Sequence, residues 1–94
     1  MNAYIYILSS QQNGTLYIGV TSNIIRRVYE HKNDFNEGFT SQHKVHTLVY
    51  FELYNDMLTA IEREKQLKSW KRAWKIALIE KENCDGCDLY HALL

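Results

Sequence analysis

Short stretches of alternating or continuous apolar residues predict β-strands at three places in the chain. Residues 3–9, 15–20 and 47–54 are rich in tyrosine, isoleucine and valine, which favour strands. Asn13-Gly14 lies between the first two stretches, and this dipeptide favours a two-residue type I′ turn because both residues need positive φ. The sequence therefore predicts an antiparallel hairpin closed at Asn13-Gly14, followed by a third strand.

Three other segments have apolar residues at helical spacing. The first helix is predicted to have its cap at Thr21, Ser22 or Asn23 and to end at about Asn33. The second is predicted to have its cap at Asn55 or Asp56 and to end at about Lys68. The third is predicted to have its cap at Ser69 and to end at about Asn83. The resulting order β-β-α-β-α-α predicts an α+β fold, a small antiparallel three-stranded sheet flanked by helices. We expect one domain over residues 1–83 and a C-terminal tail over residues 84–94.

The helical spacing also predicts which side chains face the core. On the first two helices these are Ile24, Ile25, Val28, Tyr29, Met57, Leu58, Ile61 and Leu67. The third helix is expected to bury Trp70, Ala73, Trp74, Ala77 and either Leu78 or Ile79. For the two tryptophans, core packing is favoured over the stacking of nucleic-acid bases.

Alternation across the predicted hairpin separates two kinds of side chain. Aliphatic residues share one face: Ile5, Ile7, Leu16, Ile18 and Val20. The other face collects Tyr4, Tyr6, Tyr17 and Gly19, where a glycine allows a ligand or backbone to approach closely. The alternative is that these tyrosines are present only because tyrosine favours strands.

Three polar side chains lie beside apolar helix faces. Arg27 and His31 are four residues apart and share one face of the first helix, although they would also suit a surface pair of cations. Glu64 lies on a stripe with Met57 and Ile61, where a buried side chain is expected. A carboxylate there needs a partner, which is a metal, hydrogen-bond donors, or a cation such as Arg27 or a neighbouring lysine.

The composition narrows the class of protein. Ninety-four residues, 46% hydrophobic and 23% charged, suit one folded domain. No apolar run is long enough to span a membrane, no signal peptide is evident, and two cysteines cannot form a disulfide framework, so a cytoplasmic location is expected. The net charge is zero, but four basic residues are candidates for phosphate contacts: Lys68, Lys71, Arg72 and Lys75. Their alternative is a solvated helix face.

The spacing of these residues resembles the GIY-YIG nuclease superfamily. Tyr4-Ile5-Tyr6 and Tyr17-Ile18-Gly19 resemble the two halves of its signature, with Tyr4 in place of the first glycine. Arg27 and His31 resemble its helix motif, and Glu64 resembles its lone metal-binding glutamate. The resemblance covers about residues 3–83 and is closest to the small stand-alone members. After Asn83, the sequence Cys84-Asp85-Gly86-Cys87 departs from those members, which puts the docking of the tail in question.

The resemblance implies a metal-dependent endonuclease that hydrolyses nucleic-acid phosphodiester bonds, with DNA favoured. Glu64 would hold one Mg²⁺ or Mn²⁺, and Arg27 would bind the non-bridging phosphate oxygens. Tyr6 would act as the base and Tyr17 would position the water, while His31 would relay a proton or hold the phosphate. Gly19 and Asn83 would support the site, and a protein partner would supply target specificity.

Two other functions remain open, a catalytically weak or silent nucleic-acid-binding module and a small interaction protein with a tyrosine-rich pocket. Cys84 and Cys87 with His91 have partial zinc-ligand spacing, but a pair of reduced thiols is the default interpretation. The long loop contains Thr40, His43 and His46, for which a polar contact with substrate is an unsupported alternative.

Overall fold

The predicted three-stranded sheet is present in the computed structural model, which describes residues 2–12, 14–33 and 44–94. Its antiparallel strands are β1 (Ala3–Ser9), β2 (Leu16–Thr21) and β3 (Thr47–Tyr54), in the order β2-β1-β3. The helices are α1 (Ile24–Lys32), α2 (Met57–Ser69), α3 (Arg72–Glu82) and the single-turn α4 (Tyr90–Leu93). The α+β class and the order β-β-α-β-α-α are confirmed, with α4 added in the tail. In the part of the chain that is described, no helix is long and apolar enough to cross a membrane.

The central strand β1 is covered on both faces. Its odd-numbered face packs, with Ala60, Leu67 and Ile79 of α2 and α3, into one apolar core. Its even-numbered face packs Tyr6 and Leu8 against α1 and the tail. Because β1 is covered on both faces, side chains on both of its sides are packed, and the Tyr6 ring lies between the sheet and α1.

The hairpin is longer than the predicted two-residue turn. Tyr6 pairs with Gly19, which is a register two residues away from the prediction. The amide of Gly14 donates to the carbonyl of Gln11 over 2.9 Å, and Ser10 pairs with Thr15, so four residues form the loop. The Ser10 hydroxyl accepts from the Thr15 amide (3.0 Å), which stabilises this wider closure. Because the shift is two residues, each side chain stays on its predicted face.

Two of the predicted helix caps are confirmed and one is wrong. The side chain of Asn23 accepts from the Arg26 amide (3.1 Å) at the start of α1, and Asp56 accepts from the Thr59 amide (2.8 Å) at the start of α2. Ser69 does not cap α3, because it is the last residue of α2 and donates its hydroxyl to a carbonyl of its own helix. Lys71 precedes α3 without a side-chain cap.

The predicted buried face of α3 is largely wrong. Ala73, Trp74 and Ala77 are exposed, whereas Ile79 is buried. Ile79, near the C-terminal end of the helix, packs into the core of the sheet, whereas Ala73, Trp74 and Ala77 lie on sides of the helix that face solvent. Trp70 is half-buried against the core, and Trp74 packs edge-to-face on it with 56% of its surface exposed. Ile25, Tyr29 and Leu58, also predicted in the core, are exposed because they lie on the outer sides of α1 and α2.

The C-terminal tail docks on the even-numbered face of the sheet. Leu89, Tyr90 and Leu93 pack against the core that contains Tyr6. The Asp88 carboxylate accepts from Lys32 on α1 and from the Leu48 amide (3.2 Å) on β3. The altered sequence after residue 83 is therefore compatible with docking. The boundary between domain and tail stays a prediction.

Asn83 joins α3, β3 and the tail. Its amide nitrogen donates to the carbonyls of Val49 (3.1 Å) and Cys87 (2.8 Å), and its oxygen accepts from the Cys87 amide (3.1 Å). These contacts support the fold next to the tail, while its predicted support of the catalytic site stays a prediction.

We expect Asn83→Ala to lower the free energy of unfolding by about 2–3 kcal/mol, because it leaves a buried carbonyl and two tail groups unpaired. Urea denaturation followed by circular dichroism measures this loss. Asn55→Ala, at an exposed position, is the matched control. A loss no larger than that of the control would show that these hydrogen bonds do not anchor the tail.

Candidate active site

Tyr6 and Gly19 face each other across the hairpin. Tyr6 is only 1% exposed, although it carries a hydroxyl group. A Cβ atom at Gly19 would lie 2.4 Å from the Tyr6 Oη and 2.5 Å from its Cζ, which is too close for any side chain. Gly19 is therefore the residue that gives the Tyr6 phenol its space.

Three rings meet at this point. The Tyr6 Oη lies 3.2 Å from the Nε2 of His31. The Tyr17 ring centroid is 6.3 Å from that of Tyr6 and 5.5 Å from that of His31. His31 reaches the sheet because it continues the buried α1 stripe of Ile24 and Val28. The predicted gathering of Tyr6, Tyr17 and His31 is thus present in the structure.

Burial sets the protonation of the Tyr6–His31 pair. It lowers the pKa of His31 to about 4, with the nearby Arg27 charge acting in the same direction. It raises the pKa of Tyr6 to about 12, although the hydrogen bond with Arg27 acts the other way. At neutral pH both groups are therefore uncharged, and the tautomer of the imidazole decides which of them donates in this hydrogen bond.

Arg27 lies at the solvent side of the ring cluster. Its pKa is raised above its usual value, first by its hydrogen bond with Tyr6. Its Nη1 donates to Glu30 over 3.3 Å, and a third of the side chain is exposed. Arg27 therefore links the buried phenol to solvent and can turn toward an anion there.

Glu64 approaches the cluster from α2. It shares the inner side of α2 with the buried Ala60 and Leu67, and its side chain is 16% exposed. Its negative charge contributes to the raised pKa of Tyr6, so the two groups interact electrostatically. The predicted pairing with a neighbouring lysine is also present, because Lys68 Nζ lies 3.7 Å from the carboxylate.

Potential metal ligands are sparse in the described part of the chain. It contains no group of three or more histidine, cysteine, aspartate or glutamate side chains that could hold a metal ion. Cys84 and Cys87 are exposed free thiols, and with His91 they do not make up such a group. Glu64 is the carboxylate that interacts with Tyr6, and a cation at Glu64 would need oxygen ligands from water or substrate.

The four predicted basic residues have different surroundings. Lys68 and Lys75 line a depression that also includes Tyr17. The guanidinium of Arg72 donates to the Gly14 carbonyl, and Lys71 is the exposed residue before α3. The structure therefore brings two of the four next to the ring cluster.

One residue near the site was missed by the sequence interpretation. Glu30 pairs with both Arg26 (3.4 Å) and Arg27 (3.3 Å) and so sets the position of the guanidinium. Its spacing of three and four residues from the two arginines was the signal that could have identified it. Thr40 and His43 lie outside the described residues, and the carbonyl of His46 accepts from Lys32.

The chain is similar to known proteins over most of its length. The family model described as the GIY-YIG catalytic domain matches residues 2–77. A UPF0213 protein from Natronomonas pharaonis is 37% identical over 84% of this chain and 92% of its own length. One from Staphylococcus saprophyticus is 32% identical over 83% and 94%. The solution NMR structure of a UPF0213 protein from Bacillus halodurans superimposes with a TM-score of 0.55 at 26% identity, covering 88% of this chain and 87% of that one.

We expect the buried His31 to make stability depend on pH between about 6.5 and 4. Below about 6.5 the unfolded chain binds a proton at this residue, but the folded protein does not until about pH 4. The free energy of unfolding should therefore fall, by up to ~3 kcal/mol, as the pH is lowered through this range. Urea denaturation at a series of pH values measures the slope.

His31→Gln should flatten this slope, because the titrating group is gone while an acceptor for Tyr6 remains. His91→Gln, at an exposed position, should leave it unchanged. If the His31 variant keeps the slope of the original protein, another group is responsible for it.

Proposed function

The chain belongs to the GIY-YIG catalytic domain family, and we propose that it is a metal-dependent endonuclease that hydrolyses nucleic-acid phosphodiester bonds, with DNA favoured. One observation carries this proposal. Tyr6, His31, Arg27 and Glu64 come from three separate elements and interact around a single buried phenol. A base, a phosphate-binding cation and a metal-binding carboxylate are the groups that phosphodiester hydrolysis requires.

Glu64 is the residue proposed to hold one Mg²⁺ or Mn²⁺. The donor set fits such an ion, because one largely covered carboxylate suffices for a cation that keeps most of its water. Its only described ion pair, with Lys68, is longer than a hydrogen bond and half exposed, so little is lost when the carboxylate changes partner. When bound, the ion supplies positive charge that stabilises the phosphoryl oxygens and makes water more acidic.

Arg27 is proposed to bind the non-bridging oxygens of the substrate phosphate. Its guanidinium is planar and offers two parallel donors, which suits two phosphate oxygens. A third of it is exposed, and its described contact with Glu30 is one Nη1–carboxylate pair at 3.3 Å, while Glu30 also pairs with Arg26. A phosphate can therefore take the place of Glu30 without unfolding α1.

Tyr6 and His31 are proposed to move protons together. With a pKa of about 12, the phenol cannot act as a phenolate at neutral pH. In the tautomer that leaves Nε2 unprotonated, the uncharged His31 can accept the Tyr6 proton while the phenol oxygen takes a proton from the attacking water. Because His31 is only 2% exposed, this relay suits it better than holding a phosphate does. Tyr17, half-buried beside both rings, would position the water.

The candidate substrate contacts are of the phosphate-binding type. Arg27 and the basic residues Lys68, Lys71, Arg72 and Lys75 fix the position of a backbone but carry no base recognition by themselves. We therefore propose that a protein partner supplies target specificity. The two free thiols, Cys84 and Cys87, suit a reducing compartment such as the cytoplasm.

A binding module without catalysis is the second candidate. It would use the same lysines, but it would have no use for Glu64, whose negative charge repels phosphate. The position of Glu64 beside the phenol therefore favours catalysis over binding alone.

We expect Glu64→Gln to reduce the nicking of supercoiled plasmid by about a hundredfold or more, because it removes the proposed metal ligand. The assay uses Mg²⁺ or Mn²⁺, and Glu62→Gln, an exposed residue of the same helix, is the control. Equal nicking by both variants, or nicking that survives excess chelator, would contradict the metal assignment. An original protein that is inactive on duplex, branched and single-stranded substrates would support the binding module.

Tyr6→Phe should lower the cleavage rate by about a hundredfold, because it removes the positioned hydroxyl, and should lower the free energy of unfolding by about 1–3 kcal/mol, because the buried His31 loses its partner. Tyr4→Phe, on the same face of β1, is the matched control and should cleave normally. If both variants cleave at the original rate, the base is not Tyr6.

A further inference from the structure

A groove runs along the outer edge of β2, directly beside the candidate active site. Tyr17 forms the wall on the active-site side, Leu16 and Ile18 line the strand, and Lys68 and Lys75 stand opposite on α2 and α3. Its volume is about 290 Å³. The lining therefore combines one residue of the ring cluster, an apolar strip and two cations.

The charge of the groove is positive and is not offset by its own lining. None of its five lining residues is acidic. The carboxylate described beside the groove is that of Glu64. It lies 3.7 Å from Lys68 Nζ, and the Lys68 side chain is half exposed. Lys75 Nζ reaches only the Lys68 carbonyl, at 3.4 Å. Both ammonium groups can therefore turn to a phosphate oxygen at little cost.

The depression on the other side of the active site differs in charge. It is lined by Arg26 and Arg27 together with Glu30, and both arginines pair with that glutamate. Each depression therefore has two cations and one carboxylate close by, but Glu30 belongs to the lining of this one and pairs with both arginines, whereas Glu64 lies outside the lining of the β2 groove and pairs with Lys68. Within the β2 groove, an anionic chain next to the Arg27 and Glu64 region meets two lysines and no carboxylate of the lining.

We propose that this groove is a subsite for the nucleic-acid strand next to the bond being cut, with one backbone phosphate bound between Lys68 and Lys75. This inference rests on the proposed function and extends it, because it assigns a path to the strand. The half-buried Leu16 gives the sugar an apolar surface to lie against. Arg72, which is bound to the Gly14 carbonyl, and Lys71, which lies before α3, are outside this path.

The test measures binding without cleavage. Fluorescence anisotropy of a labelled single-stranded oligonucleotide in chelator gives the affinity at several salt concentrations. Removing one lysine–phosphate interaction should decrease the slope of log affinity against log salt by about 0.7. We expect this decrease for Lys75→Gln and no change for Lys81→Gln, which removes an exposed lysine from the same helix. Lys75→Arg keeps the charge and should keep the slope.

A second measurement locates the bound phosphate. Single phosphates of the oligonucleotide are replaced in turn by uncharged methylphosphonates. We expect one of these replacements to decrease the slope measured with the original protein. The same replacement should not decrease the slope measured with Lys75→Gln any further. If every replacement acts equally on both proteins, or if Lys75→Gln and Lys81→Gln change the slope alike, the groove is not the subsite.

These results are independent of catalysis. A protein that shows the Lys75-dependent slope but no nicking would support the groove and contradict the nuclease. A protein that nicks DNA with no difference between the lysine variants would support the nuclease and contradict the groove.

Discussion

A phenol buried in the middle strand of the sheet governs the rest of the structure. Burying a hydroxyl without a hydrogen bond costs about 1–3 kcal/mol, so Tyr6 requires a partner inside the protein. His31 is that partner, and it reaches the phenol only because α1 packs with Ile24, Val28 and His31 facing the sheet. The space for the ring comes from Gly19 on the neighbouring strand. The buried Tyr6 phenol therefore requires both the observed position of α1 and a glycine at position 19 of β2.

The same burial keeps the site uncharged at its centre and charged at its rim. Tyr6 and His31 are both neutral at physiological pH, while Arg27 and Glu64 act on the phenol from outside with opposite signs. A substrate phosphate or a cation that binds at the rim changes this balance and so changes the acidity of the phenol. The acidity of Tyr6 therefore depends on whether a charged group is bound at the rim.

The sequence was sufficient for the features that depend on periodicity. The two faces of the hairpin were predicted correctly although the turn was not, because an error of two residues preserves alternation. The buried face of α3 was not predictable in this way. Its apolar residues occur on several sides of the helix, and only the packing of its last turns on the sheet decides that Ile79 is buried and Trp74 exposed. The pairing of Asp88 with Lys32 spans most of the chain and leaves no local pattern.

The two faces of the sheet carry different kinds of side chain, and residues from both faces meet at β2. Aliphatic residues of the odd-numbered face pack against α2 and α3, while the even-numbered face holds the phenol and imidazole. Glu64 and Lys68 belong to α2 on the aliphatic side, yet they interact with the tyrosines because β2 is an edge strand. An exposed edge strand invites pairing with another chain, and lysines beside it oppose such pairing. Lys68 and Lys75 can therefore keep this edge open, as the proposed path of a nucleic-acid strand along β2 requires.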